Sequence, residues 1–192
     1  QHSDQDDVDT QIEASNSLPA IPVNSAELSP RESLIQLAQK MGWRLIRVIG
    51  KSPIDKGWPT SAGLTADEAR WHPGNLGIIC GEPSGRLLVV DLDGEHPDDL
   101  PRTPTVQTGS GGLHLYYHLP DDVVLIRGNT VKEVAPDVDT RWTAGLVVAP
   151  GSIHPETGGM YNWIPGLSPE DVQIADVPDW LIEKLLKLEA EK

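Results

Sequence analysis

Residues 86–95 read Arg-Leu-Leu-Val-Val-Asp-Leu-Asp-Gly-Glu, a buried-type strand that ends in two aspartates two apart. Side chains at i and i+2 of a strand share a face. Asp91 and Asp93 therefore point the same way, while Leu92 points to the other face. Two carboxylates held that close repel unless a cation sits between them. Oxygen-only ligands suit Mg²⁺ or Mn²⁺. The pair is a candidate metal site of the kind used in phosphoryl or nucleotidyl transfer. Paired acids also close strands and cap turns, here before Gly94, so the motif alone leaves both readings open.

The 192-residue chain holds one domain or two small ones, and no apolar run is long enough to span a membrane. The single Cys80 rules out an intrachain disulfide and an all-cysteine zinc cluster, which fits a cytoplasmic setting. A net charge of −14 argues against tight, nonspecific DNA binding. Its distribution softens that objection: residues 1–32 carry −6, residues 168–192 carry −4, and the long centre carries only −4. A weakly charged centre can still hold a local basic groove.

Residues 1–28, rich in Asp, Gln, Ser and Asn, are expected to be a disordered acidic tail. Ser29-Pro30 then opens a helix whose apolar stripe is Leu34, Leu37, Ala38 and Met41, with Gly42 as its stop. A strand follows at 43–49, then a Gly/Pro-rich loop over 50–63. Thr65 and Glu68 form a capping box for a short helix to Trp71. From there the pattern is mainly β, with strands expected near 75–80, 86–93, 104–108, 113–118, 122–126, 130–134, 138–141, 145–149 and 160–163. Residues 29–176 read as one folded unit, the one that carries the paired acids. A helix from Pro178, within 177–192, is expected to lead into a further domain. The start at Gln1 rather than Met is also expected of a piece of a longer protein.

Four more segments offer chemistry. Thr108-Gly-Ser-Gly-Gly-Leu-His114 could cradle a triphosphate: Gly111 and Gly112 let backbone amides approach an anion, Ser110 adds a hydroxyl, and His114 can donate to a phosphate oxygen. A flexible hairpin loop with a core histidine fits the same residues. Asp137-Val-Asp139-Thr-Arg141 again spaces acids two apart and adds on the same face an arginine, a residue suited to phosphate, although an exposed strand edge with an ion pair fits equally. Ser152 and His154 follow the buried strand 145–149 on a tight turn, where they could line a nucleotide pocket or bond the turn itself. Gly50-Lys51-Ser52 hints at a phosphate loop, but Leu45 stands where its first glycine is required. Lys51 and Lys56 remain candidate phosphate contacts, or equally two solvated loop lysines.

Taken in order, these segments resemble the primase-polymerase (prim-pol) branch of the archaeo-eukaryotic primase superfamily, common at the N-terminus of phage and plasmid replication proteins. The matching residues are Gly42-Trp43; Lys51, Pro53 and Gly57-Trp58; Asn75, Gly77-Ile78, Gly81, Ser84-Gly85 and Asp91/Asp93; Thr108 to His114; and Asp139, Arg141, Gly145, Ala149-Pro150, Ser152, His154, Tyr161 and Trp163. The resemblance covers roughly 33–165. One departure is Trp142-Thr143-Ala144, where the family often has an Asp-Gly-Gly-type turn.

The resemblance implies an α/β (α+β) prim-pol fold: a small α/β subdomain packed on an RNA-recognition-motif-like sheet, with the active site in the cleft between them. It implies a template-directed nucleotidyltransferase, a DNA-directed DNA polymerase or primase. Asp91, Asp93 and Asp139 would bind Mg²⁺ or Mn²⁺. Ser110 and His114 would hold the triphosphate, with Arg141 and Lys51 as further phosphate contacts. Implied partners are a DNA template and primer, deoxynucleoside or ribonucleoside triphosphates, and a helicase domain in the full-length protein. Two rivals remain. A catalytically weak nucleotide- or DNA-binding module would keep the same residues. Val90-Asp-Leu-Asp-Gly-Glu also resembles the first motif of haloacid-dehalogenase-like phosphatases, although Glu95 stands where that motif usually has Thr.

Overall fold

The computed structural model describes residues 27–192, so the expected tail at 1–28 lies almost wholly outside the described residues. Helix α1 (Pro30–Met41) starts as its sequence dictates: the Ser29 hydroxyl accepts the Glu32 N–H, and Pro30 takes the first turn, where no N–H is needed. Gly42 stops it at φ 73°, a left-handed conformation costly for any residue with a Cβ. Helix α2 (Ala66–Trp71) has the full capping box of Thr65 and Glu68, worth about 1 kcal/mol.

A four-stranded antiparallel sheet is built from β1 (Leu45–Ile49), β2 (Ser52–Pro53), β3 (Asn75–Ile79) and β9 (Leu146–Val148), in the order β2-β1-β3-β9. The larger sheet contains β4 (Leu87–Leu92), β5 (Thr105–Gln107), β6 (Leu113–His118), β7 (Thr130–Ala135), β8 (Val138–Arg141) and β10 (Asn162–Trp163), in the order β10-β5-β6-β4-β8-β7. A short β11 (Ala175–Asp176) adds a parallel pairing to β6. Helix α3 (Asp179–Ala190) closes the described chain.

Period-two alternation divides the larger sheet's two faces between two cores. Leu87, Val89, Val106 and Tyr116 face the small sheet and α1, packing with Leu34, Ile35, Leu45, Leu76 and Ile78. Leu88, Val90, Leu92, Leu115 and Tyr117 face the opposite way and are covered by Leu181 and Leu185 of α3. Each fully buried aliphatic side chain contributes about 1.5–3 kcal/mol. Trp43 and Trp163, far apart in sequence, meet across Tyr116 with ring centroids 5.3 and 5.0 Å from it. Trp43, in the α1–β1 connection, thus packs on two rings of the larger sheet. Helix α3, expected as a lead-out, is packed into the domain it follows.

The strand expected at 122–126 is absent. Its backbone groups are taken by side chains rather than by a partner strand. The Arg86 guanidinium donates to the carbonyls of Leu119, Pro120 and Val123; the Trp142 indole donates to Leu125; and the Ile126 N–H donates to Glu189. The apolar alternation there reflects Leu125 turned inward while Val124 and Ile126 stay exposed.

Candidate active site

Strand β4 is central, and its register assembles the site. Asp91 lies directly opposite His114 of β6 on one side and Asp139 of β8 on the other. Residues directly opposite in antiparallel strands share a face, with Cβ atoms about 4.5–5.5 Å apart. His114, Asp91 and Asp139 thus form a row across three strands. Asp93 extends the row past the end of β4, and its N–H donates to the Asp137 carbonyl at 3.0 Å. Arg141 extends it along β8. The alternate residues Leu92 and Val138 pair on the opposite face and are buried there. A one-residue slip of β4 would exchange the carboxylates for leucine and valine.

This row floors a cleft of about 620 Å³ between the two sheets. Lys51, Trp58 and strand β9 line it from the small-sheet side, and Ser110 lines it from the glycine-rich loop. Seven residues given a chemical role in the sequence therefore reach one cavity: Lys51, Asp91, Asp93, Ser110, His114, Asp139 and Arg141. Asp137 is outside it, half-buried and beside Gly94.

The electrostatics of the row are uneven. Asp91 is largely buried, which raises its carboxyl pKa, but His114, Arg141 and Lys51 more than offset this and leave it below the ordinary value. Its Oδ1 stands 3.6 Å from His114 Nε2. Asp93 is pushed up by desolvation and by the like charges of Asp91 and Asp139. Asp139 is held in place: its Oδ1 accepts the Lys132 N–H at 2.8 Å and its Oδ2 accepts Arg141 Nη2 at 3.3 Å. The first bond depends on an irregularity in the β7–β8 ladder, where Lys132 adopts φ 56°. Such bulges re-aim groups beside active sites.

The glycine-rich loop is a tight turn: the Gly111 N–H donates to the Thr108 carbonyl, and the Thr108 N–H to the Gly112 carbonyl. Gly112 is fixed by crowding, since a Cβ there would lie 2.7 Å from the Leu92 carbonyl oxygen and 3.0 Å from Asp93 Oδ1. Gly111, at φ 94°, faces open space. Neither glycine lines the cleft directly; they place Ser110 and His114.

Ser152 and His154 stand outside the cleft. The Ser152 hydroxyl bridges the backbone N–H and carbonyl of Leu76. His154 Nδ1 accepts the N–H groups of Glu156 and Thr157. The His154 ring stacks on Tyr161, with centroids 6.3 Å apart and planes at 17°. Both residues buttress Tyr161, whose own N–H donates to the Ser152 carbonyl.

Tyr161 is a site residue to which sequence reasoning gave no chemistry. It lines the cleft beside His114, and desolvation together with Asp91 and Asp93 raises its phenol pKa, keeping it a neutral donor. Trp58 and Asn129 also line the cleft. Trp58 carried a motif signal; Asn129 carried none. Asn129 ties the chain before β7 to the Trp142–Gly145 turn, donating to the Thr143 carbonyl and accepting the Trp142 N–H. In that turn Ala144 takes φ 65°, the conformation a family glycine would adopt freely.

No set of three or more His, Cys, Asp or Glu side chains among the described residues forms a ready-made metal cage. Asp91 is engaged with His114, and Asp139 with Lys132 and Arg141. The donor set nevertheless fits a hard divalent cation: three carboxylates sit on one sheet face, close enough that two of them raise the pKa of the third.

Comparison with curated proteins finds no match to the chain. The family of bifunctional DNA primase/polymerase N-terminal domains, Prim-Pol, matches residues 34–180. That span contains both sheets and every residue of the cleft, and it decides against the phosphatase resemblance. The mixed α/β architecture with its cleft between two sheets, the carboxylate row and the family match agree: this chain belongs to the Prim-Pol family and is a domain of the DNA primase/polymerase type.

Proposed function

We propose that the cleft carries out template-directed nucleotidyl transfer, extending a primer with nucleoside triphosphates by a two-metal-ion mechanism. The observation that carries this reading is the register that sets Asp91 between His114 and Asp139 on one face. Asp91, Asp93 and Asp139 are the residues to hold Mg²⁺ or Mn²⁺. When bound, such ions lower the pKa of the attacking hydroxyl and neutralise charge on the leaving pyrophosphate.

The remaining roles belong to the chain's own groups. Ser110 and His114 bind the triphosphate, His114 donating through Nε2, the ring nitrogen on the Asp91 side. Its Nδ1 is buried without a partner among the described residues, and placing the proton there would leave a donor unsatisfied at a cost of about 1–3 kcal/mol. Arg141 and Lys51 bring positive charge to the phosphates. The hydroxyl of Tyr161 is a further donor in the cleft. Trp58 and β9 supply the apolar wall that excludes water.

Primer extension tests this reading: a labelled primer–template, deoxynucleotides, and Mg²⁺ or Mn²⁺, with an Asp91→Ala, Asp93→Ala double variant alongside. Extension by the wild type alone is expected. Nucleotide binding without extension under either metal would favour the binding module instead.

A further inference from the structure

In the part of the chain that builds the cleft, the cations that the fold leaves unpaired are not scattered. Between residues 43 and 167, six arginines are engaged within the described structure. Arg47, Arg70, Arg86 and Arg141 meet carboxylates, while Arg44 and Arg102 donate to the carbonyls of Ser61 and Gly166. Outside that span Lys40, Lys184 and Lys187 have no side-chain partner among the described residues; within it the cationic groups without one are Lys51, Lys56, Arg127 and Lys132. All four are exposed, and they lie on two segments that flank the cleft. Lys51 and Lys56 are in the loop that contributes Lys51 and Trp58 to one wall. Arg127 is two residues before the lining residue Asn129, and Lys132 lies on β7, its N–H on Asp139. The same segments expose apolar side chains: Ile49 and Ile54 on one, Ile126 and Val131 on the other, at 71%, 43%, 73% and 61% exposure.

We propose that these two rims form the track for the phosphate backbone of the primer–template, the small-sheet loop on one side of the cleft and the Ile126–Lys132 segment on the other. In a chain of net charge −14, unpaired cations cost little and attract polyanions locally. Four of them beside a carboxylate row would hold nucleic acid where its 3′ end can enter. The exposed isoleucines and valine supply contacts to sugars and base edges without sequence preference. This surface rests on the polymerase reading above and adds where the nucleic acid lies.

Salt-dependent binding of a fluorescent primer–template, read by anisotropy, tests the track. Each phosphate contact steepens the dependence of log K on log[salt] by about 0.9. Arg127→Gln with Lys132→Gln should lower the slope by about 2 and weaken binding at least ten-fold at about 0.1 M salt, with the melting temperature unchanged. The control is Lys184→Gln with Lys187→Gln on α3, across the sheet from the cleft. It makes the same change in net charge and should leave the slope as in the wild type. An unchanged slope in the rim variant, or an equal loss in the control, would overturn the track. Wild-type primer extension separates the two claims. Extension with an unaltered rim-variant slope removes only the track, whereas a wild type that neither binds nor extends the primer–template removes the polymerase reading and the track with it.

Discussion

Replacing Asp93 by Asn separates the site's chemistry from the fold's stability. The Asp93 carboxylate accepts no hydrogen bond within the described structure, and its surroundings raise its pKa through desolvation and the charges of Asp91 and Asp139. Asn keeps the shape and removes the charge. Without divalent ions, the substitution therefore relieves repulsion. Asp93 is exposed, so solvent screens most of the effect, and the gain is below about 1 kcal/mol. For a domain of this size that is about 1–3 °C of melting temperature. With Mn²⁺ at a hundred times its dissociation constant, the wild type gains about 2.7 kcal/mol, or about 5–10 °C. A variant that binds the ion at least ten-fold more weakly forgoes about 1.4 kcal/mol of that gain. The order of stability should invert: Asp93→Asn melts above the wild type in EDTA and below it in Mn²⁺. Differential scanning fluorimetry reads both states on the same samples. An Asp93→Asn protein that melts below the wild type in EDTA, or that gains as much from Mn²⁺, would refute the claim that these carboxylates are a repulsive cluster awaiting a cation.

Other predictions follow from particular contacts. Tyr161→Phe removes the cleft's phenol donor, whose hydroxyl has no partner among the described residues; steady-state kinetics should show a nucleotide KM about ten-fold higher, in line with one hydrogen bond of about 1–1.5 kcal/mol, with the melting temperature unchanged. Arg86→Met strips hydrogen bonds from the carbonyls of Leu119, Pro120 and Val123 and removes a cation over the Trp142 ring at 5.5 Å; it should cost about 2–3 kcal/mol and lower the melting point by about 5–10 °C, with kcat intact in the fraction that remains folded. Burial pushes the Cys80 thiol up to about 12, so thiol reagents should modify it only after denaturation. Because its folded pKa lies above the unfolded one, stability is full below the unfolded thiol's pKa and falls as pH rises from there towards 12; Cys80→Ala should flatten that alkaline decline in urea melts.

Local signals were legible because they are short-range physics. The Ser29 cap, the Gly42 stop and the Thr65–Glu68 capping box appear where the sequence put them. Strands 113–118 and 138–141 match residue for residue. The shared face of Asp91 and Asp93 follows from strand periodicity alone. Strand order does not. Nothing local says that β4 inserts between the β5–β6 and β7–β8 hairpins, yet that insertion is what sets Asp91 between His114 and Asp139. Lys132 in a left-handed conformation and the side-chain-capped 122–126 segment were illegible for the same reason: distant groups decide them. Ser152 and His154 were recognisable as motif residues, but only the folded chain shows their side chains serving the backbone and Tyr161 rather than the cleft.

Anomalous diffraction from crystals grown with Mn²⁺ and a non-hydrolysable deoxynucleoside triphosphate bears most directly on the central claim. The account predicts manganese within about 2–2.4 Å of carboxylate oxygens from Asp91, Asp93 and Asp139, with the triphosphate against Ser110 and His114. Manganese bound elsewhere, or a nucleotide seated outside the cleft, would contradict it.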